Sequence, residues 1–134
     1  MNIIALILTA SMLIVSPTAN LSSLQFDNSA IVYGHNYLDG GEFYNLDLND
    51  NVAVYFADGS AKVYEVTDVQ AYAAKSTTLA KTGTDFPLRV GSEWYTVTQV
   101  IERLSFDGSI VLVTCYPQKG IVTGRLFIQL TEVP

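Results

Sequence analysis

The chain is a series of short runs rich in β-branched and aromatic residues, cut every few positions by glycine, aspartate or asparagine. Val, Ile, Thr, Tyr and Phe suit a pleated, half-buried surface, and Gly, Asp and Asn start turns, so the pattern predicts a mostly β domain. Residues 29–33 (SAIVY) read as a short buried strand ending at Gly34. Asp39-Gly40-Gly41 is a turn signal. Residues 52–56 and 61–69 read as two strands joined at Asp58-Gly59, a favoured hairpin turn. In the second, Val63, Glu65, Thr67 and Val69 alternate with Tyr64, Val66 and Asp68, and neither set is wholly polar, so both faces are expected to be partly covered. Residues 109–114 (SIVLVT) read as a buried strand with Cys115 at its end, and residues 125–130 (RLFIQL) as the last strand.

Residues 96–104 break the β pattern. Thr96 and Gln99 have the spacing of a capping box, and Val97, Val100, Ile101 and Leu104 recur at helical intervals. A helix with one apolar face is expected there, with Trp94 and Tyr95 packing before it as an N-terminal hydrophobic staple does. Residues 75–95 mix Lys, Ser and Thr with Gly83, Pro87 and Gly91, and read as a long loop of the sort that often carries function.

The apolar run at residues 3–15, IIALILTASMLIV, supports two readings. It is shorter than the roughly 20 residues that span a bilayer. Its length suits a signal-peptide core, with Pro17-Thr18-Ala19 as a cleavage site. Yet no Lys or Arg precedes it, and Thr9-Ala10-Ser11 splits it into two β-rich pieces, which favours a pair of buried strands. The chain thus divides into an apolar N-terminal segment, residues 1–19, and a domain over residues 20–134.

A chain of 134 residues is one domain's worth, and 49% hydrophobic against 15% charged residues excludes a disordered chain. The net charge of −6, with only seven Lys and Arg, argues against a nucleic-acid or anionic-lipid partner. One cysteine cannot form an intrachain disulfide, and one Cys with one His cannot make the usual zinc site. No cofactor is expected. Asp47, Asn49, Asp50 and Asn51 form an oxygen-rich turn where calcium is conceivable, but their spacing fits no calcium loop, and a solvated turn is the simpler reading.

The lone His35, the lone Cys115 and Arg125 are each unremarkable singly. A free cysteine is usually a small buried hydrophobe. Together they supply the parts of amide chemistry. The nucleophile is a thiolate, which a neighbouring imidazolium favours, and the same imidazolium later gives its proton to the leaving amine. Attack builds negative charge on the carbonyl oxygen, and arginine brings a permanent charge and a planar fork of donors to it.

The local sequence is more specific. Ile31-Val32-Tyr33-Gly34-His35-Asn36, followed by Phe43 and Leu46, resembles the strand-plus-His segment of sortases. Leu112-Val113-Thr114-Cys115 resembles their Thr-Leu-x-Thr-Cys signature, with Val111 in place of the first Thr. Arg125-Leu126-Phe127-Ile128 resembles the segment of the catalytic Arg, and the order His, Cys, Arg is the sortase order. Papain-like peptidases place Cys before His. The resemblance covers residues 29–134, and the whole chain if residues 3–15 are strands.

The resemblance implies a closed β-barrel of about eight strands with one short helix before the Cys-bearing strand. It implies a cysteine transpeptidase that cuts a Leu-Pro-x-Thr-Gly or Leu-Ala-x-Thr-Gly sorting signal between Thr and Gly through a thioacyl intermediate. Cys115 would be the nucleophile, His35 the general acid and base, and Arg125 the binder of substrate backbone or oxyanion. Thr114 and Asn36 would sit near the oxyanion or substrate. The partners implied are a surface-protein or pilin sorting signal and an amine of the cell wall or a pilin, met at the bacterial cell surface outside the cytoplasm. A hydrolase on the same site and a non-catalytic binding module derived from it are the alternatives. Only residues 16–34 separate the apolar run from His35, where many sortases carry a helix and a longer loop that shape the substrate groove. Leu79-Ala80-Lys81-Thr82-Gly83 itself reads as a sorting-signal-like pentapeptide with Ala where Pro is usual. It is either a pseudosubstrate or a chance match in a Thr- and Gly-rich turn.

Overall fold

The computed structural model describes residues 3–8, 13–15, 21–26, 29–34, 43–56, 61–83, 85–118 and 121–134. Its elements run β1 (Ile3–Leu8), β2 (Leu13–Val15), β3 (Leu21–Phe26), β4 (Ser29–Gly34), β5 (Asn51–Phe56), β6 (Ala61–Ala73), α1 (Thr77–Thr82), β7 (Pro87–Val90), β8 (Glu93–Thr96), α2 (Val97–Leu104), β9 (Ile110–Gln118) and β10 (Ile121–Glu132). Eight strands form one sheet in the order β2-β1-β5-β6-β10-β9-β4-β3, and β7 and β8 form a separate hairpin. Every pairing in the large sheet is antiparallel except β4 with β9.

The fold is mostly β, as the composition predicts, but among the described residues the sheet does not close into a barrel. Closure requires the two edge strands to pair, and among the described residues β2 pairs only with β1 and β3 only with β4. The result is a curled half-barrel with two edges.

β9 and β10 lie at the centre and are covered on both faces. Side chains alternate along a strand. On β9, Ile110 and Leu112 enter one core cluster, with Val52, Val54, Tyr64, Val66, Leu126, Ile128 and Leu130. Val111 and Val113 enter the other, with Ile31, Phe127 and the apolar residues of α1, β7 and α2. A strand buried on both sides has no polar face, which is why residues 110–113 and 126–128 read as unbroken apolar runs. Each fully buried Leu, Val or Phe contributes about 1.5–3 kcal/mol relative to exposure.

β6 carries an irregularity that its sequence conceals. Gln129 pairs with Asp68 and Leu130 with Val66, so Thr67 is an extra residue. The bulge reverses the alternation: Tyr64 and Val66 enter the first core, and so does Val69 beyond it. Thr67 Oγ1 donates to Gln129 Oε1 at 2.8 Å, which fixes the extra residue against β10.

α2 begins where the capping box places it. Gln99 N donates to Thr96 Oγ1 at 3.2 Å and Thr96 N to Gln99 Oε1 at 2.8 Å. Asp85 accepts a further N-terminal amide, that of Thr98, and Gln129 donates to the Leu104 carbonyl, so both ends of α2 are tied down. Tyr95 does pack against the helix, with Arg103 4.6 Å above its ring, whereas Trp94 is exposed and takes Lys75 and Arg89 as cation–π partners. Both aromatics lie on strand β8.

The expected long loop at 75–95 holds more structure than foreseen: α1, then β7 and β8. Ser76 caps α1 by accepting from Leu79 N. At the other flank of the site, Gly124 lies where β10 slips register against β9. A Cβ there would strike the Tyr72 backbone, 2.8 Å from its carbonyl carbon and 3.0 Å from the Ala73 Cα. Because the obstacle is main chain, Gly124→Ala is expected to cost about 3 kcal/mol, the upper end for overpacking. Thermal unfolding should show it as a Tm lowered by about 10 °C.

Candidate active site

Cys115 on β9 stands directly opposite Arg125 on β10. Residues paired across antiparallel strands project to the same face with Cβ atoms about 4.5–5.5 Å apart. Alternation from Val113 and Phe127 puts both side chains on the α1/α2 face of the sheet. Cys115 is a free, half-buried thiol, and Arg125 is 9% exposed. Each was expected near a strand end, but β9 runs on to Gln118 and β10 begins at Ile121, so the pair sits within the ladder.

A buried guanidinium needs partners, because desolvation of an unpaired charge is costly. Arg125 Nη1 donates to the carbonyls of Ala80 (2.6 Å) and Gly124 (3.0 Å), and Nη2 to that of Gly83 (3.0 Å). Its charge lies 4.7 Å from the centre of the Phe86 ring. Burial pulls the Arg125 pKa below its usual value, while neighbouring Cys115 and Tyr44 pull it back up. Two of the acceptors belong to the pentapeptide at 79–83, which forms most of α1 and its C-cap. That segment is a helical turn supporting Arg125, not an extended strand.

Thr114 is 2% exposed, and its Oγ1 donates to the Gly34 carbonyl at 2.6 Å. The parallel ladder of β4 with β9 has its last pair at Tyr33 and Val113, so this side-chain bond extends the attachment by one residue. His35 is the next residue in the chain. His35 and Asn36 lie outside the described residues. Thr114, expected beside the oxyanion, has its hydroxyl engaged with the strand that leads to His35. Thr114→Val would keep the shape and remove this side-chain hydrogen bond, at a cost of about 0.5–1.5 kcal/mol. Thermal unfolding is expected to register that loss, and the rate of peptide cleavage to fall with it.

Sequence reasoning overlooked Tyr44. It lies on a 3₁₀ turn at residues 43–45 whose neighbours Phe43 and Leu46 are buried in the first core. Tyr44 Oη donates a hydrogen bond to the Cys115 carbonyl, and its ring tilts against Tyr116 with centroids 6.4 Å apart. Burial, and then the proximity of Cys115 and Tyr116, push the phenol up to about 12 against the opposing effect of Arg125. Tyr44 therefore stays a protonated donor through the neutral range.

In the acidic turn, the Asp50 carboxylate accepts from Asp47 N at 2.9 Å. Among the described residues no three His, Cys, Asp or Glu side chains are grouped closely enough to hold a metal ion.

A thiol facing a guanidinium on a rigid sheet, beside the strand that delivers the one histidine, is an arrangement suited to acyl transfer. The family model for the sortase domain matches residues 11–133. The chain belongs to the sortase family. Members of that family are cysteine transpeptidases that act at the bacterial cell surface on sorting signals and on cell-wall or pilin acceptors. This sortase is similar in fold to sortase C1 from Streptococcus suis, with a TM-score of 0.62 and 15% identity, over 99% of this chain and 74% of that one. It is also similar to sortase C from Clostridium perfringens SM101, at 0.56 and 12%, covering 99% and 71%. With sortase A from Corynebacterium diphtheriae the TM-score is 0.59 and the identity 14%, over 100% of this chain and 61% of that chain. None of the curated proteins compared matches the sequence.

Proposed function

We propose that this sortase uses Cys115, His35 and Arg125 to cleave a sorting signal of Leu-Pro-x-Thr-Gly or Leu-Ala-x-Thr-Gly type between Thr and Gly. It then joins the Thr carboxyl to an amine of a cell-wall cross-bridge or a pilin. The observation that carries the reading is the direct pairing of Cys115 with Arg125, with Thr114 tying to β9 the residue before His35.

In this reading the Cys115 thiolate attacks the Thr carbonyl carbon, and the carbonyl π electrons move to oxygen. Arg125 faces that oxygen or the adjacent substrate backbone. A guanidinium has five N–H donors. Three are used by Ala80, Gly124 and Gly83 among the described residues, which leaves two for substrate. Such fixed donors stabilise the oxyanion without reorganising, and one is worth roughly 100- to 1000-fold in rate. The C–N bond then breaks, and the His35 imidazolium gives its proton to the departing Gly amine. The neutral imidazole takes a proton from the incoming amine as it attacks the thioester and releases the Cys115 thiolate. Proton transfer of this kind contributes about 100- to 10,000-fold. Asn36, beside His35, would offer its amide to the substrate, and Thr114 would serve the oxyanion through its hold on Gly34. The chemistry calls for no metal or organic cofactor.

The site is placed outside the cytoplasm, where sorting signals and acceptors meet. No helix among the described residues is long and apolar enough to cross a membrane. Membrane contact would require residues 1–19 to act as an anchor, whereas residues 3–8 and 13–15 lie in the sheet as β1 and β2.

The test is product analysis of quenched peptides carrying either signal, with and without triglycine. Transfer to triglycine supports the transpeptidase. Cleavage without transfer points to a hydrolase, and intact peptides point to a binding module.

A further inference from the structure

The end of α1 closes on the guanidinium that faces Cys115. Ala80 and Gly83 offer their carbonyls to Arg125 Nη1 and Nη2, at 2.6 and 3.0 Å, and the Phe86 ring lies 4.7 Å from the charge. The Gly124 carbonyl takes the second N–H of Nη1 at 3.0 Å. The N–H groups left over among the described residues are that of Nε and one on Nη2. The grip of α1 therefore decides which donors Arg125 turns toward a substrate.

Gly83 stands where these contacts meet. Its φ of −84° and ψ of 161° suit any residue, so its backbone conformation does not call for glycine. Its surroundings do. A Cβ there would lie 2.7 Å from the Leu79 carbonyl oxygen and 3.1 Å from Phe86 Cδ1. That oxygen accepts the Gly83 N–H at 2.6 Å and so closes the last turn of α1. Phe86 is 2% exposed and packed in the second core. Making room for a side chain moves the Gly83 carbonyl, the turn that carries the Ala80 carbonyl, or the Phe86 ring. Each of the three is a partner of Arg125.

We infer that Gly83 is a positioning residue for acyl transfer: its missing side chain lets α1 and Phe86 close on Arg125 and fix the direction of the guanidinium. The inference rests on the function proposed above. A donor stabilises a developing oxyanion only if it is aimed before the charge forms. A misplacement of about 1 Å can cost roughly 100-fold in rate.

The experiment compares wild type, Gly83→Ala and Ser76→Ala, each with labelled arginine. Ser76 caps the far end of α1, where it accepts from Leu79 N, so its loss weakens the helix without crowding Arg125. The arginines of the chain are Arg89, Arg103 and Arg125, and Arg125→Lys assigns the signals of the third. In wild-type NMR the Arg125 Nη signals should be separate, because the carbonyls oppose rotation, while those of Arg89 and Arg103 average. Gly83→Ala should shift or merge the Arg125 signals and lower kcat about tenfold, with KM within twofold. Ser76→Ala should lower Tm but keep the Arg125 signals, with kcat within twofold. Averaged Arg125 signals in wild type would overturn the inference. So would wild-type signals and kcat in Gly83→Ala, a loss confined to KM, or equal kcat losses in the two variants. Loss of cooperative unfolding in Gly83→Ala would assign the glycine to the fold instead, and equally overturn it. Should wild type cleave neither peptide, the proposed reaction fails, and the arginine signals still decide whether Gly83 positions Arg125.

Discussion

Cys115→Ala is expected to abolish peptide cleavage, lowering kcat at least about a thousandfold while leaving the fold intact. Loss of the nucleophile from a set that acts as a unit removes almost all covalent catalysis, because the remaining groups have nothing to activate. The stability change should be small. Cys115 is half-buried, and its thiol makes no hydrogen bond among the described residues, so the alanine variant loses little packing. A quenched-peptide assay beside thermal unfolding separates the two effects. Cleavage by Cys115→Ala at a tenth of the wild-type rate or more would remove Cys115 from the mechanism.

Arg125→Ala is expected to lower kcat/KM by roughly 100- to 1000-fold, the loss typical of an oxyanion donor. It should also destabilise the fold, because the carbonyls of Ala80, Gly83 and Gly124 lose their donor together, each at a cost of about 1–3 kcal/mol if it stays dry. Arg125→Lys distinguishes charge from geometry. Lysine restores a cation, but its compact ammonium cannot bridge the α1 carbonyls, cover Phe86 and still reach substrate as a planar fork does. The lysine variant should regain less than tenfold of the lost activity. Parity of Arg125→Lys with wild type would show that charge alone suffices, and Arg125→Ala within tenfold of wild type would exclude the role.

Features encoded within a few residues were legible in the sequence. The capping box of α2 needs only Thr96 and Gln99, and both bonds form. The apolar runs around Cys115 and Arg125 announced strands covered on both faces. Features set by distant pairing were not legible. α1 is a six-residue helix without apolar periodicity, and it is tied down by burial of Ala80 and by Arg125, 45 residues beyond Ala80. The edge strand β3, LSSLQF, gives little signal in the sequence because two serines weaken its alternation. The bulge at Thr67 exists only relative to β10, so residues 61–69 read as a strand of constant parity. Barrel closure was inferred from likeness to other sortases, and the open edges at β2 and β3 depend on pairings that no local pattern specifies. Tyr44 reaches Cys115 across 71 residues. The Phe43 and Leu46 spacing marked a buried turn, and a tyrosine between them was the available hint that its side chain turns elsewhere.

The central claim is that Cys115 carries the acyl group between donor and acceptor. Its most direct test mixes the protein with a Leu-Pro-x-Thr-Gly or Leu-Ala-x-Thr-Gly peptide in the absence of amine, quenches in acid and weighs the Cys115-containing fragment. The account predicts that the fragment gains the mass of the peptide up to its Thr, that hydroxylamine removes the adduct, and that triglycine added before the quench converts it to transferred product. A Cys115 fragment of unchanged mass with both peptides, under conditions where either is consumed, would contradict it.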